Sequence, residues 1–160
     1  MVEGGAAVLV FISAIGSGLV AGVFFAFSTF VMRSLAKLPA PMGIAAMQSI
    51  NVYAPNPLFM LALFGTAGTA VAAAVIAVAD WGDSYAVYTV IGAVVYLVMV
   101  VLTAVYHIPR NNALDKLDPD DPRAVAQWER YLREWTGANH VRTIAPLIAA
   151  ILFTVALRVT

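Results

Sequence analysis

Apolar and polar positions divide this chain into four long apolar stretches and three connections, and nearly all charge lies in the first and third connections. No Asp, Glu, Lys or Arg occurs from Gly4 to Met32. A hydrocarbon core ~30 Å thick needs about 20 apolar helical residues. The stretch therefore predicts a first spanning helix over about 6–32, long enough to tilt or to project past the lipid. Further spans are predicted over about 57–78, 85–106 and 140–159. Pro39, Pro41, Pro55 and Pro57 punctuate the first connection, and Gly43 to Tyr53 between them suits a short helix along the interface. Pro57 fits the first turn of the second span, where its missing N–H has no helical partner. Asp80-Trp81-Gly82-Asp83 reads as a tight polar turn with an aromatic anchor.

The fourth stretch is short. Only fifteen residues, Thr143 to Leu157, separate Arg142 from Arg158. At ~1.5 Å per residue that falls short of a ~30 Å core. Asn139, His140 and Arg142 thus belong at the edge of the hydrocarbon, or within it under a cover of protein. Before them, Asp121-Pro122 resembles a helix start. Val125, Trp128, Leu132 and Trp135 then recur at helical spacing, predicting an amphipathic helix over about 122–136 that Gly137 can end. It serves either as an interface anchor or as a lid over a ligand. The pattern as a whole predicts an all-α membrane protein, a four-transmembrane-helix bundle with an amphipathic cytoplasmic helix before the fourth span.

Composition agrees, with 62% hydrophobic and 11% charged residues. Nine basic and nine acidic residues cancel, and no basic patch is interleaved with aromatics, so nucleic acid is not an expected partner. The absence of cysteine removes thiolate catalysis, iron–sulfur clusters and Cys-type zinc sites. The first stretch lacks the basic start of a cleavable signal peptide and is kept as a span. Eight of the nine basic residues lie in connections one and three. The positive-inside rule makes those loops cytoplasmic and puts both termini outside.

That orientation gathers polar residues at one mouth: Asn56, His107, Arg110, Asn111, Asn112, Asn139, His140 and Arg142. The asparagines either bind a carbonyl or phenol, or cap frayed helix ends. With Asn139 capping the fourth span, His140 and Arg142 fall in its first turn. There the positive end of the helix dipole favours a neutral imidazole able to accept a proton. Arg142 is unfavourable in the same field. Its charge calls for an anion: Asp115, Glu134, a lipid headgroup or an anionic substrate. Two histidines can ligate a haem but make no ordinary zinc or iron site. No carboxylate lies inside a span, against a proton-relay transporter. Ser13, Ser17, Ser28 and Thr29 lack the partners for serine hydrolysis. Gly18-Leu19-Val20-Ala21-Gly22 is a GxxxG motif, internal to the bundle or part of a homo-oligomer interface.

Gly18 to Met32 (GLVAGVFFAFSTFVM), Asn56 to Met60 (NPLFM), Pro109 to Asn112 (PRNN) and Trp135 to Arg142 (WTGANHVR) together resemble the anthrone oxygenase family. The resemblance implies a small four-span membrane protein, in a bacterial plasma membrane, that oxidises an anthrone-like or phenolic apolar substrate with O2 and no cofactor. It marks Asn56, Asn111, Asn112, Trp135, Asn139, His140 and Arg142 as the polar signature. His107 stands where the family commonly has asparagine, Arg110 where it has an apolar residue, and Gly137-Ala138 where it has bulkier ones. These departures leave the substrate open. In this reading His140 is the base and Arg142 stabilises the enolate oxygen. Asn56, Asn111, Asn112 and Asn139 bind the substrate, and Phe27, Phe30 and Trp135 line its pocket. Two other readings stand beside it: a haem- or quinone-binding redox protein using His107 or His140, and a non-enzymatic accessory subunit.

Overall fold

The apolar stretches form continuous helices in the computed structural model, which describes residues 4–159. Four are long and apolar enough to cross a membrane: α1 (Gly4–Leu35), α3 (Pro57–Ala79), α4 (Ser84–Leu114) and α5 (Ala124–Ala156). Between the first two of these lies the shorter α2 (Ala40–Tyr53), which opens on a proline turn. There is no strand among the described residues. Asn56 caps α3 by accepting the Phe59 N–H at 3.0 Å, and Pro57 opens the helix.

The long helices form a four-cornered ring in which α1 and α4 each pack against both α3 and α5. Lipid tails are as apolar as leucine, so helices associate through close packing and interhelical hydrogen bonds. Both are present. A Cβ on Gly16 would overlap Thr66 Oγ1, and one on Gly92 would come within 3.1 Å of the Phe153 ring. Tyr96 donates its hydroxyl to the Leu63 carbonyl at 2.9 Å, tying α4 to α3. Gly18 and Gly22, by contrast, face open space on the outside of α1. The GxxxG motif is not an internal contact of the bundle.

Three of the long helices contain a π-helical turn: Phe27–Val31 in α1, Leu61–Gly65 in α3 and Thr103–His107 in α4. The chain direction puts all three at the end of the bundle where α2 lies. A π turn admits an extra residue and bends the helix. In α4 it also explains how the helix passes Pro109. The widened turn relieves the clash a proline ring makes with the preceding turn, so α4 continues to Leu114 instead of stopping near residue 106.

The largest departure from the sequence pattern is α5. It runs unbroken from Ala124 to Ala156, where the pattern suggested an amphipathic helix over 122–136 and a separate span over 140–159. Gly137 does not end it, and Asn139 does not cap it. Asn139 Nδ2 donates to the Phe24 carbonyl at 2.8 Å and to Ser28 Oγ at 2.9 Å, both on α1. Polar residues that looked like a membrane boundary are covered by protein. The buried face of the first half of α5 is Trp128, Tyr131 and Trp135, while Val125 is exposed. Those rings pack with Met32, Ile44, Met47 and Leu114, so α2 and the ends of α1, α4 and α5 share a second small core.

Candidate functional site: a cavity with a buried arginine

A cavity of about 410 Å³ lies inside the ring, beneath α2. Its size falls within the range of small-molecule sites, roughly 300–1,000 Å³. The walls are mainly apolar: Phe24 and Phe27 from α1, Met47 and Ile50 from α2, Phe59, Met60 and Leu63 from α3. Polar atoms come from Asn51, Asn56, Thr103, Asn111 and Arg142, and the Trp135 ring closes one side. All three π turns contribute a wall residue: Phe27, Leu63 and Thr103.

Arg142 is the only charged wall residue among the described residues and is 5% exposed. Its guanidinium donates twice to Asn139 Oδ1, from Nη2 at 2.8 Å and Nε at 3.2 Å. Asn139 is fixed from behind by Phe24 and Ser28, and Ser28 Oγ is 2.9 Å from Thr143 Oγ1. The guanidinium lies 4.2 Å from the centre of the Phe24 ring and 5.0 Å from that of Trp135. Cation–π contacts of this kind contribute about 0.5–2 kcal/mol. Pro146, four residues on, has no N–H for the Arg142 carbonyl.

No carboxylate pairs with Arg142 among the described residues. Glu134 is taken by Arg110 at 3.2 Å and Arg130 at 2.7 Å. Asp115 accepts from Asn51 Nδ2 at 2.8 Å. Both acidic candidates from the sequence are thus engaged elsewhere. Arg110 itself lies over the Tyr106 ring, 3.4 Å from its centre, with its charge answered by Glu134.

Asn111 is held with equal care. Its Oδ1 accepts from Tyr131 Oη and Trp135 Nε1, each at 2.9 Å. These donors fix the amide orientation, leaving Nδ2 as the group a ligand can use. Trp135 in turn sits between Phe27 and His107, with ring centres 5.7 and 5.2 Å away.

The expected site residues therefore divide. Asn56, Asn111, Trp135, Arg142 and Phe27 line the cavity. Asn139 is fully buried behind Arg142 and positions it. Three do not reach the cavity. Phe30 is 59% exposed, and Asn112 and His140 are exposed on the outside of their helices. His140 stands mid-helix and not in a first turn, so the dipole argument for it is lost. At 100° per residue it points roughly 140° away from Trp135. His107 is fully buried against Trp135, and its Nε2 has no hydrogen-bond partner. The two histidines do not face one another, and no group of three metal-ligating side chains forms among the described residues.

Sequence reasoning missed Phe24, Asn51, Phe59 and Met60 in the wall, and Tyr131 and Ser28 behind it. Phe24 and Phe27 are three apart on one helix face, and that spacing was the available signal. Nothing local marks Ser28 or Tyr131.

A family model for anthrone oxygenase matches residues 57–152. The chain belongs to the anthrone oxygenase family. The match covers α3, α4 and nearly all of α5, with Asn111, Trp135, Asn139 and Arg142 inside it. No curated protein and no solved structure matches the chain. Membership and the four apolar helices make this an oxygenase-like, multi-pass membrane protein.

Proposed function

We propose that this protein oxidises an anthrone-like or phenolic ring compound with O2, binding it as its anion at Arg142 and using no cofactor. Arg142 carries the reading: it is a buried cation on a cavity wall with no carboxylate partner among the described residues. An uncompensated buried charge costs several kcal/mol. An enolate or phenolate oxygen in the cavity supplies the missing counter-charge. The same attraction makes the bound carbon or hydroxyl acid easier to deprotonate. Phe24 and Trp135 suit a flat ring, and Asn111 Nδ2 suits a second ring oxygen.

The chemistry balances for an anthrone. Its methylene carbon loses a proton and leaves an enolate. The enolate passes one electron to O2, and the resulting radicals join as a carbon hydroperoxide once a proton is regained. Loss of the remaining C–H proton then breaks the O–O bond, giving a ketone and water. One anthrone and one O2 thus become one anthraquinone and one H2O. The enolate itself is the reductant. No imidazole or carboxylate of the described residues lines the cavity, so the first proton leaves to water at the mouth and not to His140. Loops one and three face the cytoplasm in this reading, because they carry the basic residues.

The test is anthrone consumption and oxygen uptake by purified protein in vesicles. Equal molar uptake is expected for wild type, with Arg142→Gln slower by about 10²–10³, the usual cost of removing one oxyanion donor. Undiminished turnover in Arg142→Gln overturns the proposal.

A further inference from the structure

The cavity has a wet side and a fatty side, and they are built differently. On the wet side α2 is strapped down. Gln48 Nε2 donates to the carbonyls of Leu114 and Leu117 at 3.0 and 2.9 Å, and Asn51 is bonded to Asp115. On the fatty side α3 and α4 pack chiefly along Thr66–Ala79 and Ser84–Leu102, with Tyr96 reaching as far as the Leu63 carbonyl. Toward α2 their segments Pro57–Gly65 and Thr103–Leu114 diverge, and each contains a π turn. Phe64 and Ile108 stand at the two edges of this gap. Both line the cavity, and both are largely exposed, at 55% and 48%. Beside them Leu61 and Val105 are 69% and 67% exposed, and the one charged residue of the two segments, Arg110, is paired with Glu134 of α5.

From this we infer that the gap between α3 and α4 is a lateral portal, through which a flat apolar ring compound passes from the bilayer directly into the cavity. The inference rests on the proposed ligand class and adds its route. An apolar ring concentrates in the hydrocarbon, and a gap edged only by apolar side chains costs it no desolvation of polar groups. The strapped side confines bulk water to the mouth and away from the Arg142 face, where the attraction for an anion is greatest at low dielectric. The π turns serve the gap by bending α3 and α4 apart at one level.

The test separates route from site. Leu61→Phe/Val105→Phe adds bulk at the outer lip without altering a wall residue. Binding of 1,8-dihydroxyanthraquinone to protein in vesicles is followed by stopped-flow quenching of tryptophan emission. The portal predicts that association and dissociation rates both fall at least threefold in the double variant, with Kd unchanged. Gln48→Ala, which loosens the strap, is expected to leave both rates as in wild type. Unchanged rates in the double variant, or faster association in Gln48→Ala, overturn the portal while leaving the ligand class standing. Absence of binding to wild type overturns the ligand class and the portal with it. Circular dichroism of each variant confirms that the helices are intact.

Discussion

Among the described residues Arg142 finds its only side-chain hydrogen-bond acceptor in Asn139, one turn back on the same helix, and that acceptor is neutral. An aspartate at the same place would make a buried ion pair. The amide instead holds the guanidinium in position without cancelling its charge.

That distinction can be tested by exchange. Asn139→Asp keeps the acceptor for Arg142 and adds the missing charge, but gives up the two amide donations to the Phe24 carbonyl and Ser28. Affinity for an anionic ring ligand is expected to fall at least tenfold, with some loss of thermal stability. Asn139→Ala leaves the guanidinium without its acceptor. Thermal unfolding in detergent is expected to show a loss of about 3 kcal/mol, within the range for breaking a buried charged hydrogen bond. An Asn139→Asp variant that binds the anion as well as wild type contradicts the role given to the amide.

Asn111 gives a second contrast. Asn111→Leu strands the Tyr131 hydroxyl and the Trp135 indole N–H, two donors that now share its Oδ1. Each unsatisfied buried donor costs about 1–3 kcal/mol. Asn111→Asp retains the acceptor and is expected to be the more stable of the two. Tryptophan emission reports the change: loss of the Trp135 indole hydrogen bond is expected to shift it to the blue in Asn111→Leu only.

Helix packing makes a sharper prediction than the GxxxG pattern does. Gly16→Ala drives a methyl group into Thr66, a β-branched residue with little freedom to move. The expected loss is about 1–3 kcal/mol, as for other overpacked cores. Gly18→Ala and Gly22→Ala meet open space and leave monomer stability unchanged or slightly raised. Should either one shift the protein toward a smaller species in sizing experiments, the outer face of α1 is a subunit contact.

His140→Ala is expected to retain near wild-type anthrone turnover, because the side chain faces away from the cavity. Loss of activity with an intact fold contradicts the route given to the first proton.

Much of the architecture was readable because the bilayer leaves few options. A backbone crossing hydrocarbon must bond to itself, so apolar length translates directly into helices. What escaped detection depends on partners distant in sequence. Asn139 and Arg142 looked like an interface because their neighbours on α1, Phe24 and Ser28, lie more than a hundred residues away. The continuity of α5 follows from that cover. The π turns were invisible because nothing in FSTFV, LALFG or TAVYH distinguishes a π turn from an α turn. Arg142, Asn111 and Trp135 were legible as polar or amphipathic residues at a bundle mouth. His140 was misplaced because a break assumed at Gly137 put it in a first turn.

In the proposed function Arg142 holds its ligand as an anion, and the ligand's own spectrum reads out that charge. A hydroxyanthraquinone absorbs at longer wavelength once ionised, so its protonation state can be read while bound. Titrated on wild-type protein in vesicles, its ionisation is expected at least one pH unit below that in protein-free vesicles, about 1.4 kcal/mol of preference for the anion. Arg142→Gln is expected to bind the neutral form and to abolish the shift. Identical titration curves for the two proteins contradict the account.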